Sequence, residues 1–259
     1  MSVVDGAESH LSAVSKALTV LESFSAKGSR QGLREISRTT GIPKTSVLRA
    51  LVALEGAGYI IKEGTSYRLT RRIIEVAAAS PGLEPGGLRD AAMSHLSELH
   101  QASGLSVNLA VLEGREVFYL SRIHRVVGGP LPGRVGGRLP ANCTALGKAL
   151  LAYQPDEFLS NLLGQALPAM TQYSVASARV LQGQLEQIRN SGLAYDREES
   201  SVGLLCVAAP VLFRGAAVAA VSVSGRVGRL SARSLDGLLR KAAAATASDF
   251  ARTSVHRGN

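Results

Sequence analysis

Lys44, Thr45, Ser46 and Arg49 fall within one short stretch, directly after a Gly-Ile-Pro corner. Two cations and two hydroxyls at that spacing are donors for phosphate oxygens and for base edges in a DNA major groove, provided they open a helix. Arg34 upstream and Tyr67 and Arg68 downstream add donors to the same set.

Other chemistries find weaker support. The run NCTALGKA at 142–149 resembles a phosphate-cradling loop, but Asn142 replaces its first glycine and Ala149 its magnesium-holding hydroxyl. Lys148 is therefore expected to cap a polar patch or pair with an acid. His95 and His100 are five apart and do not share a helix face well enough for a metal pair. Glu198 and Glu199 point apart on an extended chain and read as a solvated loop. Cys206 as nucleophile with His124 as base is the best enzymatic pairing, yet nothing in the sequence brings the two together. No metal or cofactor is expected.

The elements around the basic cluster decide its meaning. Leu33, Ile36 and Ser37 give a first helix one buried face, and Gly41 supplies the left-handed corner that ends it. Pro43 fits the first turn of the next helix, where its missing N–H costs little. Val47, Ala50, Leu51 and Leu54 recur at i, i+3, i+4 and i+7, which gives that helix a core face. Tyr59-Ile60-Ile61 and Tyr67-Arg68-Leu69 then flank a turn at 62–66. Together these predict a winged helix-turn-helix over residues 33–72. A helix over 11–26 precedes it and is expected to pack on the recognition helix and contribute to a dimer surface.

The charge distribution agrees. The 259-residue chain carries a net +9, and residues 27–72 hold ten Lys or Arg against three acids, a net +7. A positive field concentrated on the motif suits a phosphate backbone. A membrane surface is disfavoured because the segment lacks an aromatic stripe to insert. Two distant cysteines argue against a disulfide scaffold or zinc site, and the polar, acidic N-terminus is unlike a signal peptide, so a cytoplasmic protein is expected.

Beyond the wing the pattern changes. Two prolines and three glycines at 80–87 mark a linker, and 88–102 reads as a linker helix. Strands are expected at 106–112 and 116–123, a Gly- and Pro-rich stretch not regular throughout at 128–140, and helices at 144–153, 155–163 and 177–191. Further strands at 193–198, 204–213 and 216–224 lead to a closing helix at 231–253. Antiparallel strand pairs with helices between them predict an α+β fold. The expected division is a tail at 1–8, a DNA-binding domain at 9–76, linker and linker helix at 77–102, an effector domain at 103–253, and a tail at 254–259.

The winged motif, RLPANCTALGKALLAY at 138–153, GLAYDREESSVGLLCVAAPV at 192–211 and AAVAAVSVSG at 216–225 occur in that order. As a set they resemble the IclR-type transcriptional regulators over about residues 9–253. The resemblance implies a GAF-like C-terminal effector-binding domain for a small metabolite, often an organic or aromatic acid. It also implies homodimers, commonly assembled as dimers of dimers, on palindromic double-stranded DNA operators. By motif, Ala145, Leu146, Asp196, Leu204, Cys206, Ser222 and Ser224 would line the pocket, with Leu131 a looser candidate. Members often carry His where this chain has Asn142, which removes a titratable group there.

The residues themselves leave alternatives open. Ser222 and Ser224 share one face of an otherwise Val/Ala strand, so their hydroxyls need a ligand, neighbouring backbone or water. Asp196 could receive a ligand hydroxyl or face solvent beside Arg197, and Cys206 could be a small core residue. A ligand-responsive transcription factor is the expected function. An enzyme with a DNA-binding module and a constitutive architectural protein are the alternatives, and the latter leaves two-thirds of the chain without a task.

Overall fold

The computed structural model describes residues 12–27, 30–78, 87–124, 132–228 and 232–256. The chain divides into two compact units, Met1–Leu83 and Glu84–Asn259.

The first unit runs α1 (Ala13–Lys27), β1 (Gln31–Gly32), α2 (Leu33–Thr40), α3 (Lys44–Gly56), β2 (Ile60–Glu63), β3 (Ser66–Leu69) and α4 (Arg72–Ala78). Gly41 ends α2 at φ +71°, with its N–H donating to the Ser37 carbonyl, as the sequence predicts. Pro43 is the residue before α3 rather than its first turn, so the helix opens on Lys44. Val47, Ala50, Leu51 and Leu54 are the buried positions of α3, and they meet Val20 and Phe24 of α1 in one core. Full burial of side chains such as Val47 and Leu51 is worth about 1.5–3 kcal/mol each.

The wing is tighter than its sequence suggests. β2 and β3 extend to Glu63 and Ser66, which leaves a two-residue turn at Gly64-Thr65 where a turn over 62–66 was expected. β1, only two residues long, pairs with β3 to complete a three-stranded sheet in the order β1-β3-β2. A strand that short carries no period to read.

The second unit runs α5 (Leu88–Ser103), β4 (Ser106–Glu113), β5 (Glu116–Ile123), β6 (Arg138–Pro140), a 3-10 turn (Ala141–Cys143), α6 (Ala145–Leu151), α7 (Asp156–Leu163), α8 (Ala178–Ser191), β7 (Ala194–Arg197), β8 (Leu204–Phe213), β9 (Ala216–Arg226) and α9 (Ala232–His256). Six antiparallel strands form one sheet in the order β6-β5-β4-β9-β8-β7. α5, grouped with the linker by sequence, is an integral part of this unit. Leu88, Ala92, Leu96 and Leu99 pack with α9 against one sheet face. The expected linker at 80–87 lies almost wholly outside the described residues.

Alternation along the strands sorts the two faces. Val207, Ala209, Val221 and Val223 point into the α5/α9 layer, whereas Leu204, Cys206, Ala208 and Ala220 point toward α6. The α6 face is where the polar residues gather.

Candidate functional site

On the first unit, Lys44, Thr45 and Arg49 are exposed on α3, Ser46 is half-buried beside them, and Arg34 is exposed on α2. Ser37 Oγ donates to the Ile42 carbonyl at 2.7 Å and fixes the turn between the two helices. Two expected contacts stand differently. Tyr67 is a core residue, 6% exposed, packed with Ile36, Val47 and Leu51, because its β3 position faces inward. Arg68 is engaged within the wing: its Nε donates to Glu63 Oε1 at 2.5 Å, and Arg30 holds the other carboxylate oxygen. The Arg68 hydrogen bond, with the charge of Arg30, keeps the Glu63 carboxyl below the usual carboxylate range.

On the second unit, strand register builds a polar layer. Ser106, Ser224, Cys206 and Asp196 stand opposite one another across β4, β9, β8 and β7, while Arg122, Asn108 and Ser222 form the next row across β5, β4 and β9. Asn108 Nδ2 donates to Ser222 Oγ at 3.1 Å and to Ser224 Oγ at 3.2 Å. Asn108 Oδ1 in turn accepts from Arg122 Nε at 2.6 Å. The serines' partner is thus a side chain on the neighbouring strand β4, more than a hundred residues away in the chain, which sequence spacing could not reveal. Arg122 also donates to the Pro132 carbonyl at 2.8 Å and to the Gly133 carbonyl, and its guanidinium lies over the Tyr119 ring. Gly133 (φ +76°) approaches Tyr119 so closely that a side chain there would overlap the ring.

These groups enclose a cavity between the sheet and α6. Ala145, Leu146, Asp196, Leu204, Cys206, Ser222 and Ser224 all line it. Arg122, Tyr119, Thr144 and Ser200 line it as well, and no sequence signal marked them. Leu131 lies outside the described residues. About 10 Å³ is open to a water-sized sphere, close to what one water needs. Anything larger than a water enters only as lining side chains move.

Burial sets the electrostatics. Asp196 is 1% exposed, so it does not face solvent. Desolvation raises its carboxyl above the ordinary value, and bonds from Ser200 Oγ, Glu199 N–H (2.7 Å) and Ser200 N–H oppose that rise. Burial likewise lowers the Arg122 value, although a guanidinium stays charged. Burial also pushes the Cys206 thiol well up, with nearby Asp196 adding to the effect. His124 Nδ1 is bonded to Ser106 Oγ at 3.2 Å. His124 follows β5 and Cys206 lies on β8, with β4 and β9 between them, so the backbones of the pair needed for an enzymatic reading are three strand spacings apart, roughly 14 Å.

The loop look-alike resolves into packing. Thr144 Oγ1 caps α6 by accepting from the Gly147 N–H at 3.0 Å. A Cβ on Gly147 would lie 2.2 Å from the Ala141 carbonyl oxygen, so this glycine lets α6 rest on the 3-10 turn. Lys148 pairs with an acid, as expected, but the acid is Glu199, which is buried rather than solvated. Asn142 donates to the carbonyls of Pro168 (2.8 Å) and Val175 (3.0 Å), tying down that loop.

Known proteins fit this arrangement. The family descriptions "Bacterial transcriptional regulator IclR C-terminal" and "IclR helix-turn-helix domain" match residues 83–252 and 13–64. The HTH-type transcriptional regulator XynR of Escherichia coli K12 is 32% identical over 224 residues, covering 85% of this chain and 88% of that one. The Pca regulon regulatory protein of Pseudomonas putida is 30% identical over 231 residues, covering 87% and 78%. A crystal structure of an IclR homolog complexed with 4-hydroxybenzoate, from Microbacterium hydrocarbonoxydans, superposes with a TM-score of 0.81 at 25% identity, covering 93% of this chain and 100% of that one.

Proposed function

The chain belongs to the IclR family of ligand-responsive, DNA-binding transcriptional regulators, and from that premise we propose that its effector is a small aromatic carboxylate held on the α6 face of the six-stranded sheet. The observation that carries this reading is the Arg122–Asn108–Ser222/Ser224 network, a half-buried guanidinium running into a row of buried hydroxyls. The acid's carboxylate takes over the Arg122 donors now given to Pro132 and Gly133, because a charge-assisted fork outcompetes neutral carbonyls. Ser222, Ser224 and Asp196 meet its polar substituents. Ala145, Leu146, Leu204 and Cys206 contact the ring. The 4-hydroxybenzoate in a structural relative supports this choice of acid.

Lys44, Thr45, Ser46 and Arg49 act as the DNA-reading set, with Arg34 on the phosphate backbone and Arg68 reaching it only by leaving or sharing Glu63. The regulator works in the cytoplasm as a homodimer, or a dimer of such dimers, on a palindromic operator. Effector control follows from binding one dimer arrangement better than another. Half-sites about 34 Å apart make small rotations costly to DNA affinity.

The test is calorimetric titration with 4-hydroxybenzoate, benzoate and succinate. The aromatic acids should bind, and Arg122→Gln should weaken them ten- to a hundredfold, since a hydrogen bond to a charged group is worth about 1.5–3 kcal/mol. Ser222→Ala with Ser224→Ala should blunt the response and spare operator binding. Binding of succinate alone would overturn the aromatic assignment. Loss of operator affinity in the serine variant with normal acid binding would overturn the site.

A further inference from the structure

α3 presents two large apolar side chains to solvent. Leu48 is 44% exposed and Val52 is 61% exposed, although the same helix has a well-packed core face. Leu48 and Val52 are one turn apart. With Thr45 and Arg49 they complete an i, i+3, i+4, i+7 stripe, Thr45-Leu48-Arg49-Val52, opposite the stripe of Val47, Ala50, Leu51 and Leu54. A helix lying in a major groove reads bases with a stripe of that spacing, as the homeodomain recognition helix does.

We infer that Leu48 and Val52 read thymine 5-methyl groups in the operator. Charge selects this occupant over a second copy of the chain. Exposed Lys44 and Arg49 flank the apolar pair, exposed Arg34 and Arg38 lie on α2, and Glu55 is the one acid on α3. A two-fold contact through this face would set those cations against their own copies, whereas DNA neutralises them. In the major groove the thymine methyl is the one apolar group that a base edge offers, and it takes an apolar side chain as its partner. Arg49 supplies the polar half of the same readout by donating to a guanine edge or a phosphate. The apolar pair then specifies A·T base pairs beside it. Neither residue belongs to the core, so their substitution alters recognition without altering the fold.

The experiment begins with operator selection from a randomised duplex library by the full-length protein. Each thymine of the selected half-site is then replaced singly by deoxyuridine, which removes only the methyl group. For wild type, deoxyuridine at one or two positions should weaken binding about fourfold per methyl, the value of one buried methyl or methylene. Leu48→Ala or Val52→Ala should abolish the penalty at one position each while leaving that at the other. Thermal melting of both variants should match wild type. Uniform indifference of wild type to deoxyuridine, or an unchanged penalty in both variants, would overturn the proposal. So would a selected half-site without thymine, or a change in sedimentation of Val52→Ala with the deoxyuridine pattern intact, which would mark a protein interface instead.

Discussion

Lys148 and Glu199 form an enclosed, two-pronged ion pair. Lys148 Nζ lies 2.6 and 2.7 Å from the two carboxylate oxygens and 2.9 Å from Gln184 Oε1, and the paired side chains are 1% and 7% exposed. Burial pulls the ammonium below the usual lysine value while the Glu199 charge opposes it. The pair joins α6 to the loop after β7, and Asp196 grips that loop through the Glu199 N–H. Lys148→Met strands a buried carboxylate and should cost about 3–5 kcal/mol in urea unfolding. Lys148→Met with Glu199→Leu should recover most of that loss, since a fully apolar replacement leaves no orphaned charge. A single variant as stable as wild type would show that water reaches the site.

Gly147 and Gly183 should respond to alanine with opposite signs. At Gly147 the new methyl meets the Ala141 backbone at 2.2–2.3 Å, and backbone cannot rotate away. Gly147→Ala should lose at least about 1–3 kcal/mol, the cost of overpacking. At Gly183, inside α8, the methyl meets nothing, so alanine should gain about 0.5–1 kcal/mol through helix propensity. Denaturant midpoints of the two variants check both signs.

Asp196 should tilt the pH dependence of stability. Its folded carboxyl titrates above the ordinary 3.8, so over the interval between the two values the native state binds more protons than the unfolded chain. Stability from this group is then present below about pH 4 and declines as pH rises through the interval. Asp196→Asn removes that decline. Its stability curve from pH 4 upward should be flatter than wild type's, and parallel curves would contradict the shift.

Arg49→Ala and Tyr67→Ala should separate recognition from folding. The first should weaken cognate operator binding by about 1–3 kcal/mol with an unchanged melting temperature. The second removes a core ring and should cost about 3 kcal/mol of stability. Operator titrations and thermal melts of the two variants provide the check.

The periodic parts of this molecule are legible in its sequence. Val47, Ala50, Leu51 and Leu54 name the core face of α3, and the spacing of Ser222 and Ser224 names the polar face of β9. Elements of two or three residues, β1 and β6, are not, because they are too short to display a period. Arg122 and Asn108 are hidden for another reason. They join the serines only through the register of β5, β4 and β9, and register is decided by the assembled sheet. Tyr67 misled because a polar tip on a basic hairpin suggests DNA, whereas its ring belongs to the interior.

The alternation along β9 has a practical result. Val221 and Val223 anchor the strand against α5 and α9, while Ser222 and Ser224 border the cavity. One strand therefore carries two independent alphabets, interleaved letter by letter. A biosensor engineer can exchange Ser222 and Ser224 for other small side chains that keep Asn108 satisfied, and leave untouched the letters that seat the strand against α5 and α9.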